Sequence, residues 1–418
     1  MLLSRLGGLL IITVTLTSIP LPLKPGADPA APFADLRMLP TPAGAGSLAA
    51  QLTTSPDGRT CLSWLEPASA NVMRFRLAER KTDGWDLRAD IAAGNDLLAN
   101  SADVPSVFVA KDGRFVAHWL QKGGGSTAGY GIRLRSSDDG GRSWTAPLVP
   151  HRDASPTEHG FVSFFDLAGG EIGMVWLDGR ATGGGHGGGS GATMLRFTTL
   201  SRRAGLGPDV VVDDRVCDCC PTSAARTDRG VIVAYRDRSG KEIRDISTAR
   251  FENGTWTGGG AVHADGWQIA ACPVNGPAIA AHGTFVALAW FTAAGNVGRV
   301  LAAFSKDGGI TFGDPVRVDD GETAGRVDVE ILSDGSAIVV WIESRKGGAD
   351  LRARRVFADG RRGPSTTIAP VDAGRSSGVP RVVRSKNELV FAWRSPGPSP
   401  RVSVAVASIP TASPAPTR

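Results

Sequence analysis

Tyrosine is nearly missing from this 418-residue chain: Tyr130, in a glycine-rich stretch, and Tyr235 stand against ten tryptophans. Any chemistry that needs a phenol is confined to those two positions. A long uninterrupted apolar run is also lacking. The amino terminus MLLSRLGGLLIITVTLTSIPLPL is broken by Pro20 and Pro22 before it reaches the roughly 20 residues of a spanning helix. One early basic residue, that run and the following KPGADPAAP instead fit a secretory leader. Residues 1–31 are therefore expected to be a signal peptide and short linker, which leaves no membrane span and a secreted or periplasmic protein. No cysteine follows the run, which argues against a lipoprotein. Lysine and arginine are scattered rather than clustered, and the formal charge of +5 falls to +3 once Arg5 and Lys24 leave. Such a surface offers no footprint for nucleic acid.

What is present is glycine, 54 residues of it, with 42% hydrophobic and 21% charged residues. This composition predicts an all-β chain of short strands and tight turns. One pattern recurs: a turn, then an apolar run ending in an aromatic. It runs from SPDGRTCLSW (Trp64) through Trp119, Trp176, Tyr235, Trp290 and Trp341 to SKNELVFAW (Trp393), with spacings of 55, 57, 59, 55, 51 and 52 residues. A period of this length belongs to a propeller or solenoid. Each copy carries a strand-like run before the turn and two after the aromatic, which describes four-stranded propeller blades. The seventh copy lacks a fourth strand, because the chain beyond VSVAVAS runs into the Pro/Ser/Thr tail 409–418, expected to be disordered. FADLRMLP, residues 33–40, resembles the other fourth strands and would close the ring without leaving an open edge. The expectation is a β-propeller over 33–408 with seven blades, six being the alternative if one repeat is degenerate, in a monomer.

Two turns between third and fourth strands share a spelling. SDDGGRSW holds Ser137, Asp139, Gly141 and Trp144, and SKDGGITF holds Ser305, Asp307, Gly309 and Phe312. Both resemble the S-x-D-x-G-x-[ST]-[WF] Asp box, or BNR repeat, of the sialidase-like (neuraminidase) superfamily. The resemblance implies a structural role for these turns, on the face away from the ligand. It also implies carbohydrate as ligand and, for an enzyme, an exo-sialidase-type glycoside hydrolase with three arginines, an Asp acid/base and a Tyr nucleophile supported by Glu. The chain departs from that pattern: there is no F/Y-R-I-P motif and no late tyrosine.

Antiparallel blades put the loops between second and third strands on the same face as those from a fourth strand to the next first strand. Those loops are rich in acids and arginines. Asp103, Glu158, Asp178 and Asp237 are the candidate catalytic carboxylates; Arg180, Arg236, Arg238, Arg244, Arg326 and Arg345 are candidates for gripping a carbohydrate or small anionic ligand bidentately. The run GRATGGGHGGGSGAT reads as a mobile loop beside this funnel, since it lacks the lysine and following helix of a phosphate-binding loop.

Four of the five cysteines also fall on this face: Cys217, Cys219 and Cys220 in VCDCCP, and Cys272 at the matching position one repeat on. In an exported protein they can form one or two disulfides, with Cys220 to Cys272 the bridge across the blade boundary. A soft-metal thiolate site, copper with His159 nearby, is the alternative, and redox chemistry a third. Cys61 lies in an apolar strand as a buried thiol. The functions in competition are thus a funnel binding a glycan or anionic ligand, a divergent glycoside hydrolase, and a metal or redox protein using the Cys-Asp-Cys-Cys loop.

Overall fold

The computed structural model describes residues 28, 30–123, 129–183, 191–258 and 260–410. The leader segment, most of the glycine run and the tail beyond 410 lie outside them. Seven antiparallel sheets follow one another along the chain. Their inner strands are Leu48–Thr54, Ser106–Val109, His159–Asp166, Ser223–Thr227, Ala278–His282, Thr323–Ile331 and Arg381–Ser385. The seventh sheet is completed by the first described strand: Ala34–Leu39 pairs antiparallel with Arg401–Ser408, the last described one. The protein is a seven-bladed β-propeller whose ring is closed by its two ends.

The recurring aromatics explain why the repeat has the period it has. All seven are buried, and each packs into a different apolar layer between neighbouring blades. Trp64 lies in the layer where blade one meets Val390 and Val404 of blade seven, so the closure carries a core like any other boundary. Four of these indoles are also tethered, Trp290 to Asp265 at 2.7 Å and three to an acid two residues on. Trp64 donates to Glu66 at 2.8 Å, Trp176 to Asp178 at 2.8 Å and Trp341 to Glu343 at 2.5 Å. A W-x-[DE] spelling thus places a carboxylate at the funnel end of the second strand to satisfy a buried N–H, which would otherwise cost about 1–3 kcal/mol.

Two fourth strands are weaker than the sequence suggests. In blade two, APLVPHR contributes only the bridge Leu134–Leu148, because Pro147 and Pro150 have no N–H to give the ladder. In blade four, GAVHAD contributes only the bridge Ser247–Ala261, and the outer strand is Thr255–Thr257.

On the face away from the funnel, the two Ser-x-Asp-x-Gly turns are knit by their own side chains. Asp139 Oδ1 accepts the amides of Arg142 and Ser143 at 3.0 and 2.9 Å, and Ser137 Oγ accepts that of Gly141 at 2.8 Å. Asp307 and Ser305 repeat the arrangement with Ile310, Thr311 and Gly309. These contacts hold both aspartates far below the usual carboxylate range; at Asp139 the Ser143 hydroxyl leads, and at Asp307 the bonds to Thr311 overcome its slight burial. Gly309 has φ 85°, and a Cβ there would stand 2.1 Å from Ile232 Cδ1, so the turn presses on the preceding blade.

Candidate functional site

The inner strands start from strained backbone. Ala49, Phe161, Val274 and Arg326 have φ between 53° and 58°, each at or just before the first residues of an inner strand. Non-glycine residues rarely adopt this region, and such strain gathers at functional sites. The chain holds it in place with side chains from the preceding blade boundary. Phe161 N–H donates to Asp103 Oδ1 at 2.7 Å, and Arg326 N–H donates to Asn275 Oδ1 at 2.7 Å.

Asp103 is only 1% exposed and also accepts the Tyr130 hydroxyl at 3.1 Å. Burial pushes its carboxyl up to about 7 against the pull of the Phe161 amide and the tyrosine, and the Glu158 charge adds to the rise. Tyr130 in turn is bridged to Glu158 through the backbone. Gly160 is required by this packing, since a Cβ there would lie 1.8 Å from Asp103 Oδ2. The other two candidate carboxylates sit elsewhere. Asp178 lies opposite His159 in the ladder, but both of its oxygens are engaged, by Trp176 and by a fork from Arg180 at 2.7 Å to each oxygen. Asp237, half-buried and raised by burial and the Asp213 charge, accepts Ser247 Oγ at 3.3 Å in a separate group.

Beside Asp178, His159 Nε2 meets Asp153 Oδ2 at 3.1 Å and its ring lies 4.0 Å from that of His151. Burial, then the neighbouring histidine, pulls His159 down to about 4, and burial lowers His151 in the same direction.

Five of the six candidate arginines have other work. Arg180 is paired with Asp178 and Asp209, Arg238 with Glu242, Arg244 with Glu242 and Asp218, and Arg345 with Asp350. Arg236 is 1% exposed, donates to the carbonyls of Asn275, Arg244 and Phe291, and lies 4.8 Å from the Trp267 ring centroid. It staples blades four and five from within. Arg326, like Arg236, has no carboxylate partner among the described residues, and further arginines join it. Its Nη1 reaches the carbonyl of Gly374, Arg394 Nη1 donates to the Ser376 carbonyl at 3.1 Å, and Arg375 Nη2 to the Cys272 carbonyl at 3.1 Å. Burial and the Arg375 charge lower Arg326 from its ordinary value. Arg381 lines an axial cavity of about 230 Å³ with Gln51, Asp103, Phe161 and Thr222, and its Nε has no hydrogen-bond partner among the described residues.

The cysteine loop corrects the expected pairing. The disulfide joins Cys219, not Cys220, to Cys272, with Cα atoms 5.9 Å apart. Neighbouring side chains leave the backbone in different directions, so only one of the two can face Cys272. Cys220 turns inward to Cys217, Sγ to Sγ 3.1 Å.

No protein-family model matches the chain, and no curated protein matches it. Solved structures do. The polysaccharide lyase Uly1 is similar with a TM-score of 0.50 at 10% identity, covering 88% of this chain and 90% of its own. A mutant of NanB sialidase from Streptococcus pneumoniae gives 0.49 at 11%, covering 84% and 83%. The GH93 alpha-L-arabinofuranosidase of Fusarium graminearum gives 0.49 at 13%, covering 91% and 97%. At such identities the likeness is one of fold, and it extends to no residue or ligand.

Three sets of donors among the described residues come close enough together to suggest a metal: the sulfurs of Cys217, Cys219 and Cys220, the side chains of Asp218, Cys219 and Cys272, and those of Asp153, His159 and Asp178. None fits copper well. Cys219 is already bonded to Cys272, and Arg180 and Trp176 occupy the Asp178 oxygens. His159 belongs to the carboxylate set rather than the sulfur set.

Sequence reasoning missed Arg394, and it missed the meeting of Tyr130 with Asp103. For Arg394 there was a signal: where blades one, three and six read W-x-[DE], blade seven reads Trp393-Arg394-Ser395, an arginine without the paired acid. Tyr130 gave none, since its glycine-rich surroundings look like a loop, although it begins the strand Tyr130–Ser137. Among the described residues, no helix is long and apolar enough to cross a membrane.

Proposed function

We propose that this chain is an exported propeller that binds a carboxylate- or sulfate-bearing glycan in its funnel. One observation carries the reading. Arg326, Arg375 and Arg394 converge on the 374–377 loop, donate to carbonyls there or beside it, and have no carboxylate partner among the described residues. Burial leads in lowering Arg326, and repulsion from the Arg375 charge comes next. A ligand anion relieves that repulsion and can accept paired guanidinium hydrogen bonds, which are stronger than neutral ones. Carbohydrate as the carrier of the anion follows from the Asp-box resemblance, because fold by itself does not fix function.

Calorimetric titration with acidic and neutral oligosaccharides of matched length tests it. Acidic chains should bind, and Arg375→Ala and Arg394→Ala should each weaken them about tenfold or more, as loss of a hydrogen bond to a charged group implies. Equal affinity for neutral chains would defeat the proposal.

A second reading, glycoside hydrolysis, draws on the grouping of Asp103, Tyr130 and Glu158. A carboxyl titrating near 7 is suited to an acid, and a tyrosine beside it is the nucleophile type of the resembled enzymes. Asp103 is closed off from solvent, however, which favours binding as the primary role. Release of sugar from an acidic glycoside, lost in Asp103→Asn, would support hydrolysis.

A further inference from the structure

The cysteine loop, with Cys272, concentrates four sulfurs and a guanidinium. Cys217 Sγ lies 3.1 Å from Cys220 Sγ and 3.9 Å from Cys219 Sγ, and Cys219 is bonded to Cys272. Arg244 Nη1 stands 3.3 Å from Cys217 Sγ. Cys217 and Cys220 are each 1% exposed, whereas Cys272 is half-buried. We propose that these four cysteines form a thiol–disulfide relay in which the buried Cys217/Cys220 dithiol is oxidised by a small organic disulfide that reacts at Cys272.

The geometry supplies each step. The Cys217 thiolate, faced by Arg244, attacks Cys219 Sγ. A Cys217–Cys219 bond forms, the Cys219–Cys272 bond breaks, and the electron pair leaves on Cys272. That thiolate attacks the external disulfide R–S–S–R, giving Cys272–S–R and one thiolate R–S⁻. Cys220, having lost its proton, attacks Cys217 Sγ and expels Cys219, which attacks Cys272 and releases the second R–S⁻. The sum is two protein thiols oxidised to the Cys217–Cys220 disulfide, one external disulfide reduced to two thiols, and the Cys219–Cys272 bond restored. Passage through Cys272 is required because the dithiol lies beneath the surface.

Electrostatics favours the first attacker. Burial opposes ionisation of Cys217, but the Cys220 hydrogen bond, the Cys219 amide and the charges of Arg236 and Arg244 outweigh it and bring the thiol down to about 6. Cys220 moves the other way, raised by burial and by the Cys217 charge. An attacking thiol near ambient pH and a protonated neighbour are what exchange chemistry needs. Cys61 is a built-in control, a buried thiol pushed up to about 12 with no sulfur partner among the described residues.

The test treats full-length protein with oxidised glutathione without oxygen, then denatures, alkylates and maps it by mass. The wild type should lose two hydrogens, gain a Cys217–Cys220 link, release two glutathiones per chain and keep only Cys61 alkylatable. Cys220→Ser should stop with one glutathione held on Cys272, and Cys272→Ser should slow oxidation by about tenfold or more, since the buried thiols then lack a surface contact. Far-ultraviolet circular dichroism checks that both variants are folded. The relay is overturned if Cys217 and Cys220 remain alkylatable while Cys220→Ser carries no adduct, or if glutathione is found on Cys217 instead. It is equally overturned if reduced protein takes up Cu(I) or Zn(II) on these sulfurs and oxidises only after a chelator is added, which would make the cluster a metal site.

Discussion

Replacing Asp103 by Asn should change how the stability of the propeller depends on pH. In the unfolded chain this carboxyl titrates near its ordinary value of 3.8, and in the fold burial raises it to about 7. The folded state therefore holds a proton that the unfolded state has lost over that interval. Asp103 contributes its full stability below pH 3.8, and the contribution is lost as pH rises through about 7. At ~1.4 kcal/mol per pH unit, the interval is worth ~4 kcal/mol. Asn is neutral throughout and keeps an oxygen for the Phe161 amide, so its variant escapes the loss. Urea unfolding of both proteins at steps from pH 4 to 8 should show Asp103→Asn gaining ~4 kcal/mol relative to wild type. Other titrating groups are common to both proteins and cancel in the difference. Glu330, raised to about 7 by burial, loses stability in the same direction, while His118 and His159, lowered to about 3 and about 4 by burial, act oppositely, losing stability as pH falls below 6.5. If the two curves stay parallel to within ~1 kcal/mol, the burial of an ionising Asp103 is refuted.

Gly160→Ala should destabilise by ~1–3 kcal/mol through the clash with Asp103, read as a lower urea midpoint, and should be milder in the Asp103→Ala background. Trp341→Phe removes the indole donor to Glu343 and should cost ~1–3 kcal/mol in unfolding free energy. Trp393→Phe should cost less, because blade seven has no acid two residues on. Asp307→Ala strips two turn amides of their acceptor and should lower the urea midpoint by an amount worth ~1–2 kcal/mol, with no effect on ligand affinity, since the turn lies on the far face.

Local periodicity was enough to read the propeller. An aromatic every 51 to 59 residues marks the one position per repeat that fills a boundary between blades, and a missing last strand beside an unassigned first one specifies closure. That the acid- and arginine-rich loops share one face was equally legible, because antiparallel order assigns them to a face without coordinates. Within that face, residue type alone was a poor guide. Arg236 and Arg326 look alike in sequence, yet one is a buried staple between blades four and five and the other reaches the 374–377 loop. Asp178 reads as a catalytic acid until its oxygens are seen to serve Trp176 and Arg180.

Sequence by itself determined the repeat, the blade count, the ring closure and the clustering of four cysteines on one face, because each depends on spacing along the chain. Only the tertiary structure decided that Cys219 rather than Cys220 bonds Cys272, that Tyr130 meets Asp103, and that Arg326, Arg375 and Arg394 gather at the 374–377 loop with no acid paired to them among the described residues. Those outcomes depend on which way a side chain points and which partner from another blade lies within about 3 Å, a distance at which hydrogen bonds form or fail.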